Sequence, residues 1–200
     1  MENLNFPDKK YQIIYADPPW EYNKLFVKSK IPFKNRGKFG CMKYDSMNTD
    51  EICELPVSKI AEKNSLLFIW ITYPCLPDVF RVIKAWGFRY ITVGFTWVKR
   101  NKSGIGFFSG LGMYTKANAE ICIIAKRGKG IPIKNKKIRQ IVDSPLTIHS
   151  KKPDVVRQRI IQLCGDLPRI ELFARTRVDG WDVIGNDEKL QNKPLEVFNC

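Results

Sequence analysis

The chain offers little for metal or thiol chemistry. It has one histidine, His149, in 200 residues, and its six cysteines, Cys41, Cys53, Cys75, Cys122, Cys164 and Cys200, form no CxxC pair. A structural zinc site needs closely spaced ligands, so no metal is assigned. Thiols scattered through apolar runs suit a reducing compartment better than a disulfide framework. No apolar run reaches the length of a membrane span and no secretory signal is visible. The expectation is an intracellular protein. Acidic residues are also scarce, 20 against 34 lysines and arginines, which leaves a formal charge of +14. An excess of that size points to a polyanionic partner. With no long basic amphipathic helix, nucleic acid fits better than a membrane surface.

Apolar residues make up 44% of the chain, enough for a full core, and no repeat or linker divides it. One domain over residues 1–200 is expected. Strands are predicted at Ile13–Tyr15, Leu66–Ile71, Tyr90–Val98, Ala119–Ala125, Gln140–Val142 and Ile170–Ala174. Helices are predicted after an Asn48 or Thr49 cap, over Val57–Glu62, from Pro77 to a stop at Gly87, and from Pro153 and Asp154 to a stop at Gly165. In the last of these, Val156, Ile160, Leu163 and Cys164 line the apolar face and Arg157 points elsewhere. Alternating strands and helices predict an α/β fold with a mostly parallel sheet and helices on both faces. The strands around 90–98 and 119–125 are expected to form an antiparallel edge.

The first strand ends in Asp17-Pro18-Pro19-Trp20. Two consecutive prolines have no N–H to donate, so the chain must leave the sheet there. In open α/β sheets the C-terminal ends of the strands are where ligands bind. Asp17 and the carbonyls of Pro18 and Pro19 are acceptors without ladder partners, and Trp20 adds a flat face. Acceptors beside an aromatic plane suit a flat, amine-bearing ligand such as a nucleobase.

Two stretches are basic without a single acidic residue. One runs from Lys24 to Lys43 (Lys24, Lys28, Lys30, Lys34, Arg36, Lys38, Lys43), interleaved with Phe26, Phe33, Phe39 and Tyr44; the other runs from Lys126 to Arg139. Between them lies a glycine-rich loop with Lys99, Arg100 and Lys102. Basic loops at 21–47, 99–118 and 126–139, mobile beside the site, are expected, with the first and second touching nucleic acid.

Over nearly its whole length, and in consistent order, the chain resembles the MT-A70-like family of S-adenosylmethionine-dependent adenine-N6 methyltransferases. The residues that carry the likeness are Ala16–Trp20, Phe95–Lys99, Asn118–Glu120, His149–Asp154, Ile170–Arg175 and Gly180-Trp181 through Gly185-Asn186. The resemblance implies a permuted Rossmann-like fold whose catalytic strand comes first, which explains the lack of a GxGxxG-like loop near the start. It implies S-adenosylmethionine as cofactor, contacted by Asp17, Lys152, Glu171, Arg175, Asn186 and Asp187. It also implies that Asp17 and the Pro18 carbonyl orient the adenine amine, with Pro19 and Trp20 completing the site and Trp20 stacking on or walling in the base. His149 reads as a packing residue, and Glu120 as a support of the site or a plain structural contact. The chain looks like the smaller prokaryotic or phage-type members of that family, which implies a cytoplasmic or host-cell cytoplasmic protein and double-stranded DNA as the substrate, with flipping of the target base. A homodimer or a related methyltransferase subunit is the expected protein partner. An RNA methyltransferase and a catalytically silent nucleic-acid-binding subunit remain the alternatives.

Overall fold

The computed structural model describes residues 6–21, 46–110, 112, 114–147 and 151–185. Seven strands form one sheet: β1 Tyr11–Ala16, β2 Ala61–Ile71, β3 Arg89–Arg100, β4 Ala119–Arg127, β5 Ile141–Pro145, β6 Arg169–Leu172 and β7 Asp182–Ile184. Four helices accompany them: α1 Thr49–Glu54, α2 Val57–Ile60, α3 Leu76–Ala85 and α4 Val155–Cys164.

β1 and β2 are buried on both faces, and their side chains alternate between two cores. Ile14, Ala16, Leu67, Ile69 and Ile71 pack with Ile52, Val57, Ile60, Val79, Val82 and Trp86, so α1, α2 and α3 cover that face. Ile13, Tyr15, Phe68 and Trp70 pack with Val156, Ile160 and Cys164, so α4 covers the other. Each such large apolar side chain contributes about 1.5–3 kcal/mol on burial. Helices thus lie on both faces, as the alternation predicted.

Local chemistry sets the helix ends. Asn48 caps α1 by accepting from the N–H groups of Asp50 and Glu51 at 3.0 Å each, and Glu51 Oε2 accepts from the Asn48 N–H at 2.8 Å. α3 stops at Gly87 and α4 at Gly165, both at positive φ, where a glycine backbone carries no Cβ penalty.

The strand order is β5-β3-β4-β2-β1-β6-β7. The pairs β1·β2, β1·β6, β6·β7 and β3·β5 are parallel, whereas β2·β4 and β3·β4 are antiparallel. The sheet is therefore mixed rather than the simply parallel-dominated one expected. β3 returns directly into β4 through a hairpin-type connection, which reverses the chain without a helix. β4 lies inside the sheet, and β5 pairs outside β3, so the antiparallel ribbon is not the edge. Boundaries also differ: Ala61 and Glu62 open β2 instead of ending a helix, β3 runs on through Lys99 and Arg100, Lys126 and Arg127 belong to β4 instead of a loop, and β7 was not expected.

β1 sits between β2 and β6. The chain after β1 passes to helices on one face, and the chain before β6 comes from α4 on the other. Asp17 emerges at the C-terminal ends of β1 and β6, the edge of an open α/β sheet where ligands bind. No described helix is long and apolar enough to cross a membrane.

Candidate active site

After β1 the backbone is held in a tight turn. The Trp20 N–H donates to the Pro18 carbonyl at 2.9 Å, and the Met47 N–H donates to the Pro19 carbonyl at 2.8 Å. Both carbonyls, expected to be unpartnered, thus carry one hydrogen bond each, and each keeps a second lone pair. Trp20 is only 4% exposed, and its indole N–H donates to the Trp70 carbonyl at 2.9 Å. The open stacking face expected of Trp20 is instead a core anchor. It fixes the loop that aims Asp17.

Asp17 begins a chain of alternating charges. Lys152 Nζ donates to Asp17 Oδ2 at 2.7 Å and lies 3.2 Å from Glu120 Oε2, while Lys99 Nζ donates to Glu120 Oε1 at 2.6 Å. Lys152 Nζ also lies 5.7 Å from the centre of the Trp70 ring. Burial pushes the Asp17 carboxyl above its ordinary range, and Lys152 only partly pulls it back. Burial acts on Glu120 too, but Lys152 and Lys99 together hold it below the usual value. Burial disfavours the Lys152 ammonium, yet its two carboxylate neighbours outweigh that and raise it.

One strand over, Glu171 is held differently. Arg157 Nε donates to Oε2 at 2.6 Å and Arg157 Nη2 to Oε1 at 2.7 Å, a bidentate pair whose side chains are 8% and 7% exposed. Arg157 Nη1 donates further to Asp154 Oδ1 at 2.6 Å, and the guanidinium lies 5.7 Å from the Tyr15 ring centre. Tyr15 accepts from Trp70 Nε1 at 2.6 Å, which ties the two halves of the site together. Arg157 therefore points into the site rather than away from it. Its register with Ile160 and Cys164, three and seven residues on, places it on their buried face, and that spacing was the available signal. Directly after β6, Phe173 takes φ 62°, a strained conformation for a bulky residue that costs of order ~1–3 kcal/mol and marks the same sheet edge. Arg175 follows, close enough for its charge to lower the Asp17 carboxyl.

Lys152 also lines a cavity of about 200 Å³ with Trp97, Ser144, Pro145, Thr147, Lys151, Pro153, Asp154 and Val155. The Ser144 hydroxyl is buried there without a hydrogen-bond partner in the described structure.

The structure brings Asp17, Lys152 and Glu171 to one edge, with Pro18, Pro19, Trp20 and Arg175 beside them. Two of the expected nucleic-acid contacts are paired with carboxylates. Lys99 is turned inward onto Glu120, and Arg100 is clamped by Asp143 at 2.7 and 2.6 Å. Both stand in β3, where their spacing along the strand fixes their direction. Lys102 is exposed. Lys24, Lys28, Lys30, Lys34, Arg36, Lys38, Lys43, His149, Asn186 and Asp187 lie outside the described residues.

The MT-A70 family model matches residues 11–187. The chain belongs to the MT-A70 family. Its activity class is therefore S-adenosylmethionine-dependent adenine-N6 methylation. Similar proteins include the type II methyltransferase M.MunI of Mycoplasma sp, 34% identical over 186 residues that cover 88% of this chain and 77% of that protein. The human N(6)-adenine-specific methyltransferase METTL4 is 26% identical over 95% of this chain and 40% of its own. The human N(6)-adenosine-methyltransferase catalytic subunit METTL3 is 22% identical over 88% of this chain and 28% of its own. The relatives come from bacteria and animals alike, so they do not support the expected prokaryotic or phage origin.

Proposed function

We propose that the chain transfers the methyl group of S-adenosylmethionine to N6 of adenine in double-stranded DNA, as one domain with a permuted Rossmann-like strand order. The observation that carries this reading is Asp17, an acceptor at that edge of the sheet, held by Lys152 within one strand of the buried carboxylate Glu171. DNA is preferred to RNA because the chain spans 77% of a type II methyltransferase but 28% of the adenosine methyltransferase METTL3.

The chemistry of these side chains supports a methyl-donor site. Glu171 offers lone pairs to ribose hydroxyls, Lys152 offers a cation to a carboxylate, and Arg175, Asn186 and Asp187 complete the set. When bound, the donor supplies an electrophilic methyl on a sulfonium. An adenine amine is a weak nucleophile because its lone pair is conjugated with the ring. Asp17 and the second lone pair of the Pro18 carbonyl each accept one amine N–H, which orients the nitrogen and favours its tetrahedral form. The nitrogen lone pair forms the new N–C bond as the C–S bond breaks toward sulfur. Asp17 is the acceptor this chain provides for the displaced proton.

The test uses labelled donor with duplex DNA, single-stranded DNA and matched RNA, followed by mapping of N6-methyladenine. Methylation of duplex DNA is expected. Product confined to RNA overturns the DNA assignment, and no product on any polymer, with nucleic acid still bound, indicates a silent subunit.

A further inference from the structure

The connection from β3 to β4 does more than close a ribbon. Asp17 follows Ala16, which pairs with Ile69; one step on, Trp70 pairs with Cys122, and Cys122 with Phe95. β3 runs five residues past that level, from Phe95 to Arg100, which is about 16 Å at ~3.3 Å per residue. β3 points the same way as β1, so the ribbon overhangs the edge that carries Asp17. Its base is bound to the site through Lys99, Glu120 and Lys152.

The described residues 101–110, 112 and 114–118 extend the ribbon as an arm with its own hydrogen bonds. The Phe108 N–H donates to the Lys99 carbonyl at 2.9 Å, Asn101 Nδ2 donates to the Ile105 carbonyl at 2.9 Å, and Gly110 and Ala117 exchange bonds at 2.9 and 3.3 Å. Arg100 stacks 4.3 Å from the Phe107 ring centre while Asp143 clamps its guanidinium. A first turn, with Gly104 and Gly106 at positive φ, leaves Ile105 80% exposed, and a second leaves Tyr114 99% exposed. Lys102 and Lys116 flank these tips, and residues 101–118 contain no Asp or Glu. A braced arm that spends apolar side chains on water, between lysines, beside a site for a base, is fitted to enter a base stack.

We propose that the arm is a wedge for duplex nucleic acid: Ile105 and Tyr114 enter the stack vacated by the target adenine while Lys102 and Lys116 contact the flanking phosphates. This rests on the adenine-methylation reading above. An adenine paired in a duplex must leave the stack to reach Asp17, and an apolar side chain in the gap offsets the lost stacking.

The experiment compares the full chain with Ile105→Ala, Tyr114→Ala and the double variant on a strand bearing an adenine that the parent methylates. That strand is presented paired, opposite an abasic site, and alone. For the double variant kcat/KM on the paired substrate is expected to fall about tenfold or more. The two substrates that need no unpairing should stay within about twofold of the parent, because no pairing is lost there. 2-Aminopurine at the target position should brighten on parental binding and less with the variant. Equal loss on all three substrates, no loss on any, or an altered sedimentation coefficient that marks the tips as a protein interface would overturn the wedge. Parental methylation of single strands alone overturns it too, while leaving the methyltransferase reading intact. A parent inactive on every polymer refutes that reading instead.

Discussion

Asp17 and Glu171 stand one strand apart at the same sheet edge, yet they are held by opposite means. Glu171 is gripped by both arms of the Arg157 guanidinium, a planar fork that fixes position and angle together. Asp17 accepts from Lys152, a point charge on a flexible stem that it shares with Glu120, with the Arg175 charge nearby. The Asp17 side chain also keeps 21% of its surface open, against 7% for Glu171. A group that binds a donor in one pose gains from a fixed carboxylate. A group that must follow a nitrogen through its change of geometry gains from a looser one. The two carboxylates therefore teach a division between holding and reacting, written in the choice of arginine or lysine.

The largest effect that would sharpen this contrast is on turnover. Asp17→Asn should lower kcat about 100- to 1,000-fold, as for loss of one transition-state contact. DNA affinity, read by fluorescence anisotropy, should stay near the parental value. A variant that turns over at the parental rate breaks the assignment of Asp17 to the reacting side.

Next comes stability. Arg157→Met leaves Glu171 charged and buried without its partner, which should cost about 3–5 kcal/mol in urea unfolding. Lys152→Met should cost less, about 1–3 kcal/mol, because water reaches Asp17. Pairing Arg157→Met with Glu171→Leu should recover much of the loss. Equal costs for the two single variants would erase the distinction between rigid and loose.

The pH profile gives a subtler reading. Asp17 must be ionised to accept the amine, and burial already raises its carboxyl. Removing the Lys152 cation destabilises the carboxylate further, so Lys152→Met should move the acid limb of kcat/KM to higher pH. Arg157→Met should leave that limb in place, since the guanidinium serves Glu171. The smallest change is expected at the surface: Lys102→Ala should reduce the logarithmic salt slope of duplex binding by no more than about 0.9, one phosphate contact.

Much of this architecture was legible in residue order. The continuous run from Leu66 to Ile71 read as a strand buried on both faces, and it is one. Asn48 or Thr49 ahead of the acidic Asp50 and Glu51, and Gly87 and Gly165 after apolar helical periods, gave helix ends from local chemistry. The proline pair placed Asp17 at a strand exit. The antiparallel placement of β4 was less legible, because periodicity gives burial but not direction. Lys99 and Arg100 read as free cations in a glycine-rich loop, since nothing nearby in sequence reveals that β3 continues through them to Glu120 and Asp143.

By itself the sequence determined where most strands and helices form, that the chain leaves β1 at Asp17, and that its charge favours a polyanion. Each of these follows from neighbours a few residues away: a missing proline N–H, a capping side chain, an apolar period. Tertiary structure decided which charges meet. Lys152 reaches Asp17 across 135 positions in the chain, and Arg157 reaches Glu171 only because α4 and β6 pack side by side. A buried ion pair depends on distance in space and on exclusion of water, and both are set when the sheet and its helices close on one another.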